Sequence, residues 1–110
     1  MSFSIHPDRR FPICCPVTYH AGLREGRGIV WNLSANGWRF SCDEPLRVGQ
    51  TCPFTINLPD QLPVFVVAAT VCWARGGEYG VETVVVEKQT HSRLEHWITR
   101  LAQDSVEDTP

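Results

Sequence analysis

Six short runs of apolar, β-branched and aromatic residues, at 14–19, 27–32, 38–42, 52–58, 64–73 and 79–86, are separated by stretches rich in Gly, Pro, Asn and Asp. That punctuation favours strands, because Gly and Asn accept turn geometry and Pro withholds a backbone donor. Pro12 and Pro16 discourage helix around the first run. The run at 64–73 is the longest and is rich in Val, which predicts a central strand buried on much of both faces. Strands at this spacing suit a small closed antiparallel barrel better than a βαβ sheet, and closure leaves no exposed edge.

After residue 86 the period changes. Leu94, Trp97, Ile98 and Leu101 recur at i, i+3, i+4 and i+7, and Glu95 and Arg100 lie off that stripe. The spacing predicts one helix over 88–102 that covers a mouth of the barrel, with Trp97 packed into the core. Residues 103–110 are acidic and poor in apolar side chains, which predicts a disordered tail, and residues 1–8 are expected to form a flexible leader. One domain over 9–102 remains.

The chain has 110 residues, 43% of them hydrophobic, which argues against disorder. A chain of this length buries about 65% of its unfolded surface, enough for one core without metal or disulfide staples. No apolar run approaches the ~20 residues of a membrane span, and residues 1–10 lack the apolar core of a signal peptide. A cytoplasmic protein is expected. The five cysteines are odd in number and irregularly spaced, and adjacent Cys14 and Cys15 face opposite sides of a strand. Free thiols, buried or half-buried, are therefore expected, with no metal site. His91 and His96 are ~140° apart around a helix and share no metal. Ser34 lacks a G-x-S-x-G context and a nearby His, and no carboxylate pair stands out, so the chain is read as a non-enzyme.

The formal net charge is -2, which gives no broad face for nucleic acid. Nine of the ten basic residues are nevertheless arginine, with Lys88 the exception. A guanidinium suits phosphate oxygens and guanine edges and stacks on flat rings. Two of the arginines are adjacent, Arg9 and Arg10, just ahead of the first strand. Between the second and third strands lies Asn32-Leu33-Ser34-Ala35-Asn36-Gly37, a turn by its chemistry, expected to hold an amide and a hydroxyl outward.

An arginine cluster before the first strand, followed by N/D-x-S-x-x-G between the second and third, resembles the PilZ domain family. Glu78-Tyr79-Gly80-Val81-Glu82 is similar to the family's last-strand Y-G-V-E/Q-F run. The resemblance covers about residues 8–101. It implies a six-stranded antiparallel PilZ-type β-barrel with a C-terminal α-helix, acting as a bacterial receptor for the second messenger cyclic di-GMP. Carried over by position, the ligand contacts are Arg9 or Arg10, Asn32, Ser34 and Gly37. The family's first motif, R-x-x-x-R, is incomplete: four residues beyond Arg9 is Ile13, and four beyond Arg10 is Cys14. Arg39 is an additional candidate contact, since it lies two residues past Gly37 and points to the same side. Arg24 and Arg27 are further candidate substitutes.

Three readings follow. The first is a receptor or adaptor that binds cyclic di-GMP without a further cofactor and signals to a protein effector. The second is a PilZ-like adaptor that docks a protein and binds no messenger. The third is a single-stranded nucleic-acid barrel that uses Trp31 and Trp38 as stacking platforms, against which the charge counts. A homodimer through the Trp97 helix stays open in the first two.

Overall fold

The structure, a computed structural model, describes residues 11–43 and 45–107. Its elements are β1 (Phe11–Ala21), β2 (Arg24–Ser34), β3 (Gly37–Cys42), β4 (Thr51–Ile56), β5 (Val64–Arg75), β6 (Glu78–Val85) and α1 (Lys88–Glu107). Neighbouring strands pair antiparallel in the order β1-β2-β3-β6-β5-β4, and pairing of β1 with β4 closes the barrel. The all-β barrel with one C-terminal helix is the architecture expected from the punctuation.

β5 alternates, with Phe65 and Val67 exposed between buried Val64, Val66 and Ala69, where burial of much of both faces was expected. Two boundaries differ most from expectation. The segment 20–26 is mostly strand rather than turn, because Ala21 already pairs with Arg24 and the reversal needs only Gly22 and Leu23. Gly22 has φ 65, which lets so short a turn close. The helix also runs to Glu107, through part of the expected tail. No Gly or Pro interrupts 88–107, and buried Ala102 holds the helix to the barrel close to that point. The expected leader and residues 108–110 lie outside the described residues.

Alternation decides what fills the interior. Cys15, Val17 and Tyr19 of β1, Val30 and Leu33 of β2, and Trp38 and Phe40 of β3 are all buried. Tyr19, Trp38, Phe40, Phe54 and Tyr79 form a ring cluster with centroids 5.2–5.8 Å apart, several pairs meeting edge to face. Trp38 is thus a core residue and no platform for bases. Leu94 and Ile98 of α1 join this core, and Trp97 packs partly against it.

The registers assign each connection to an end. The start of β1, the β2–β3 turn, the β4–β5 connection and α1 share one end of the barrel. Arg93 helps fasten the helix there, donating from Nη2 to the carbonyls of Leu62 and Pro63 at 2.8 Å each. The tight hairpin turns at Gly22-Leu23 and Gly76-Gly77 and the loop 45–50 share the other end.

Candidate ligand-binding wall

The β2–β3 turn is locked from within. Ser34 Oγ donates to the Gly37 carbonyl at 3.0 Å and accepts from the Asn36 N–H at 3.3 Å. The Ser34 side chain is only 2% exposed. The expected outward hydroxyl is therefore turned inward, because the turn itself consumes its donor and acceptor. Asn36 also ties the turn to β6, accepting from the Thr83 N–H at 2.8 Å. Gly37 has a matching reason: a Cβ there would collide with the Val81 carbonyl oxygen of β6. Two of the three motif residues thus fix the shape of this corner.

Asn32 lies on the outer wall, half-buried, opposite Pro12 of β1 and Arg39 of β3. A bulge between Val30 and Asn32 takes up Trp31, whose indole N–H donates to Ser41 Oγ at 2.8 Å across the β3 surface. Arg39 faces outward, since its neighbours Trp38 and Phe40 fill the interior. Its Nη1 donates to Glu78 Oε1 at 3.0 Å, and its Nε is buried with no hydrogen-bond partner among the described residues.

The register continues the row. Arg39 pairs with Gly80 on β6, and Gly80 pairs with Trp73 on β5. The Trp73 indole occupies the space a Cβ at Gly80 would need. Asn32, Arg39, Gly80 and Trp73 therefore cross four strands in line, about 14 Å at ordinary strand spacing. Sequence reasoning placed Trp73 only at the end of a strand. The signal was a glycine inside a strand run, which marks a close approach by another group.

Arg9 and Arg10 lie outside the described residues. The chain they precede begins β1 at Phe11, opposite Leu33, the residue before Ser34. Of the two positions at issue in the first motif, Ile13 packs against the core and Cys14 is exposed; both lie in the irregular stretch of the β1–β2 register between Pro12 and Cys15. Of the substitute arginines, only Arg39 stands with Asn32. Arg24 and Arg27 are eight and five residues along β2 from Asn32, about 26 and 16 Å. Arg24 instead lines a 480 Å³ cavity at the far end, with Tyr19, Leu46, Arg47 and Val48 among its walls. Arg27 lines a 310 Å³ groove with Ser41 and Asp43.

The thiols divide by face. Cys15 and Cys52 are buried, Cys42 is intermediate, and Cys14 and Cys72 are exposed, so not every thiol is buried or half-buried as expected. Burial, with the neighbouring Cys14 as a second cause, pushes the Cys15 thiol up to about 11. Burial and then Cys42 push Cys52 in the same direction.

A closed six-stranded antiparallel barrel with a locked β2–β3 corner and a terminal helix defines a small all-β domain. The family model of the PilZ domain matches residues 7–100, and the chain belongs to the PilZ domain family. No curated protein sequence matches it. It is similar in structure to the Bacillus subtilis inhibitor of motility (MotI/DgrA), at TM-score 0.77 and 15% identity over 92% of this chain. The chain spans about half of that protein, 51% of its length. It is also similar to the PilZ domain of CeSA from a cellulose-synthesizing bacterium, at TM-score 0.67 and 18% identity, covering 86% of this chain and 99% of that one. At such identities the likeness is one of fold.

Proposed function

We propose that this chain binds cyclic di-GMP on the outer wall beside the β2–β3 turn and passes that signal to a protein effector. The observation that carries the reading is the locked N-x-S-x-x-G corner, set beside the start of β1, the strand that follows Arg9 and Arg10 directly in the chain. A dianion with two guanines requires guanidinium forks and short polar groups on a surface. Asn32 and Arg39 provide an amide and a guanidinium on adjacent strands. The arginine pair, Arg9 and Arg10, supplies phosphate-binding forks. The domain is a binding module rather than an enzyme, and a cytoplasmic location goes with the reading. No helix among the described residues is long and apolar enough to cross a membrane.

Calorimetric titration with cyclic di-GMP at moderate salt, with GTP as control, tests the proposal. Saturable micromolar or tighter binding, about 8 kcal/mol or more, is the expected result. Arg10→Ala removes charged hydrogen bonds worth about 1.5–3 kcal/mol, a loss of roughly tenfold to hundredfold. One observation favours the rival adaptor: neither core-packed Ile13 nor exposed Cys14 supplies a second fork. No heat and no melting shift at high ligand selects that rival, whose partner complex is indifferent to nucleotide.

A further inference from the structure

We infer that the 480 Å³ cavity at the far end of the barrel is a second binding site, one that takes a small organic anion: an apolar body carrying a carboxylate or a phosphate. The site stands apart from the N-x-S-x-x-G corner, and the inference does not depend on cyclic di-GMP.

The strand register opens this cavity. β1 and β4 pair only from Val17 opposite Ile56 to Tyr19 opposite Phe54. Beyond that point β1 runs on to Ala21 against β2, while β4 starts at Thr51 against β5. Pro53, inside β4 there, has no N–H to offer a neighbour. The β1–β2 ribbon forms one bank, with Tyr19, Ala21 and Arg24, and the loop 45–50 forms the other, with Leu46, Arg47 and Val48. The loop is fastened to the barrel. The Leu46 N–H donates to the Tyr79 hydroxyl at 3.2 Å, the Gly49 N–H to the Val71 carbonyl at 2.7 Å, and the Val71 N–H to the Gln50 carbonyl at 2.9 Å. Both banks are held by the fold, so the cavity is formed before any ligand arrives.

Its lining selects the ligand. Tyr19 faces the interior, and Ala21 shares its side by alternation. Arg24 pairs with Ala21 and projects to that same side, whereas the next residue, Glu25, alternates to the opposite face. Arg47 comes from the other bank, and its guanidinium has no partner among the described residues. Among the described residues these two arginines are the only charged side chains lining the cavity, on a chain whose formal net charge is -2. Two guanidinium groups facing one space repel each other, and an anion between them relieves that repulsion. Each fork matches the oxygens of a carboxylate or a phosphate. Ala21, Pro45, Leu46 and Val48 make most of the remaining wall apolar, which suits a hydrocarbon body behind the charged head. The volume falls in the range of small-molecule sites, about 300–1,000 Å³. The 310 Å³ groove is different, since Asp43 lines it together with Arg27 and answers that charge from its own wall.

The test is fluorescence titration with 1-anilinonaphthalene-8-sulfonate, an apolar anion whose emission reports apolar surroundings. It is run on the wild type, on Arg24→Gln with Arg47→Gln, and on Arg39→Gln, each checked by its melting curve. Saturable one-to-one binding by the wild type is expected, weakened about tenfold or more in the double variant and unchanged in Arg39→Gln. Phenylacetate and phenyl phosphate are expected to displace the dye, and the stronger of them identifies the head group. Benzyl alcohol, which has the body without the charge, is expected to leave the dye in place. Equal dye binding in the wild type and the double variant overturns the inference, as does a dye that neither anion displaces or that benzyl alcohol displaces as well. Competitive displacement by cyclic di-GMP overturns it too, because the cavity would then be the messenger's own site. A wild type that binds the dye as expected and binds no cyclic di-GMP overturns the proposed function and leaves this inference standing. Should the double variant fail to melt cooperatively, Val48→Glu decides, since it sets a carboxylate at an exposed position of the mouth. A similar loss is expected there, and unchanged dye binding overturns the inference.

Discussion

The two ends of the barrel differ in what they offer a ligand. The far end has volume: a 480 Å³ cavity walled by Arg24, Arg47, Leu46 and Val48, an anion-friendly hollow of ordinary ligand size. The end that carries the motif has a corner in place of a hollow, held by two Ser34 hydrogen bonds and by the approach of Gly37 to β6. A cyclic dinucleotide is a ring with flat bases at its rim, and a wall that lines up amide, guanidinium and indole suits it better than a hole does. On the proposed reading, the difference teaches that fixed geometry, and not enclosed volume, marks the recognition surface for cyclic di-GMP.

The sharpest break of that comparison is at Gly37. In Gly37→Ala the new methyl meets the Val81 carbonyl oxygen, a backbone atom that yields only if β3 and β6 part. The expected loss is about 1–3 kcal/mol of stability, roughly 4–8 °C in Tm for each kcal/mol. Cyclic di-GMP affinity falls with it, because the corner moves. Differential scanning calorimetry that finds an unchanged Tm would remove the packing account of this glycine.

Ser34→Ala is milder. It deletes one donor to the Gly37 carbonyl and one acceptor for the Asn36 N–H, so about 1 kcal/mol of stability is expected to go. The loss of affinity is expected to be smaller than for Arg10→Ala, since the hydroxyl shapes the turn and Arg10 is proposed to meet the ligand. A larger affinity loss than in Arg10→Ala, with Tm unchanged, would instead place the hydroxyl on the ligand.

These substitutions also show what the sequence made legible. Six strands, the closing helix and the corner were readable because turn formers and alternation are local signals. Trp38 and Trp31 were not separable that way: both are aromatic residues flanking one turn, and only a bulge at Trp31 puts one outside while the other fills the core. The inward Ser34 hydroxyl was hidden for a related reason, since a turn-forming serine looks the same whether it bonds its own turn or a ligand. The row from Asn32 to Trp73 joins four strands far apart in sequence, and barrel register alone brings them together. The tight first hairpin escaped because Gly22 and Gly26 both resemble turn residues, although Gly26 sits in a strand under the Tyr19 ring.

Cys14 and Cys15 give the same contrast between outside and inside at adjacent positions. The Cys15 thiol holds its proton to about 11, whereas in the unfolded chain it ionises near the ordinary value of 9.0. Above that ordinary value the unfolded state gains by losing a proton that the folded state keeps. Stability is therefore expected to be intact below about pH 9 and to fall as pH rises toward 11. Cys52 adds to the slope in the same direction. Urea midpoints at neutral and alkaline pH, compared with those of Cys15→Ala, check this; an equal alkaline slope in the variant would remove Cys15 as a cause.

The smallest expected effect is the most direct test of the two ends. Arg24→Gln and Arg47→Gln, made together, remove both guanidinium groups from the far cavity. Arg24 begins β2 and Asn32 is eight residues along it, about 26 Å away. At physiological salt the screening length is about 8 Å, so little of the lost charge is felt at the motif. Cyclic di-GMP affinity is expected to stay within about twofold of wild type, the ordinary range for a surface change. A tenfold loss would put the ligand in the hollow, and the wall would then be the surface left free for the effector.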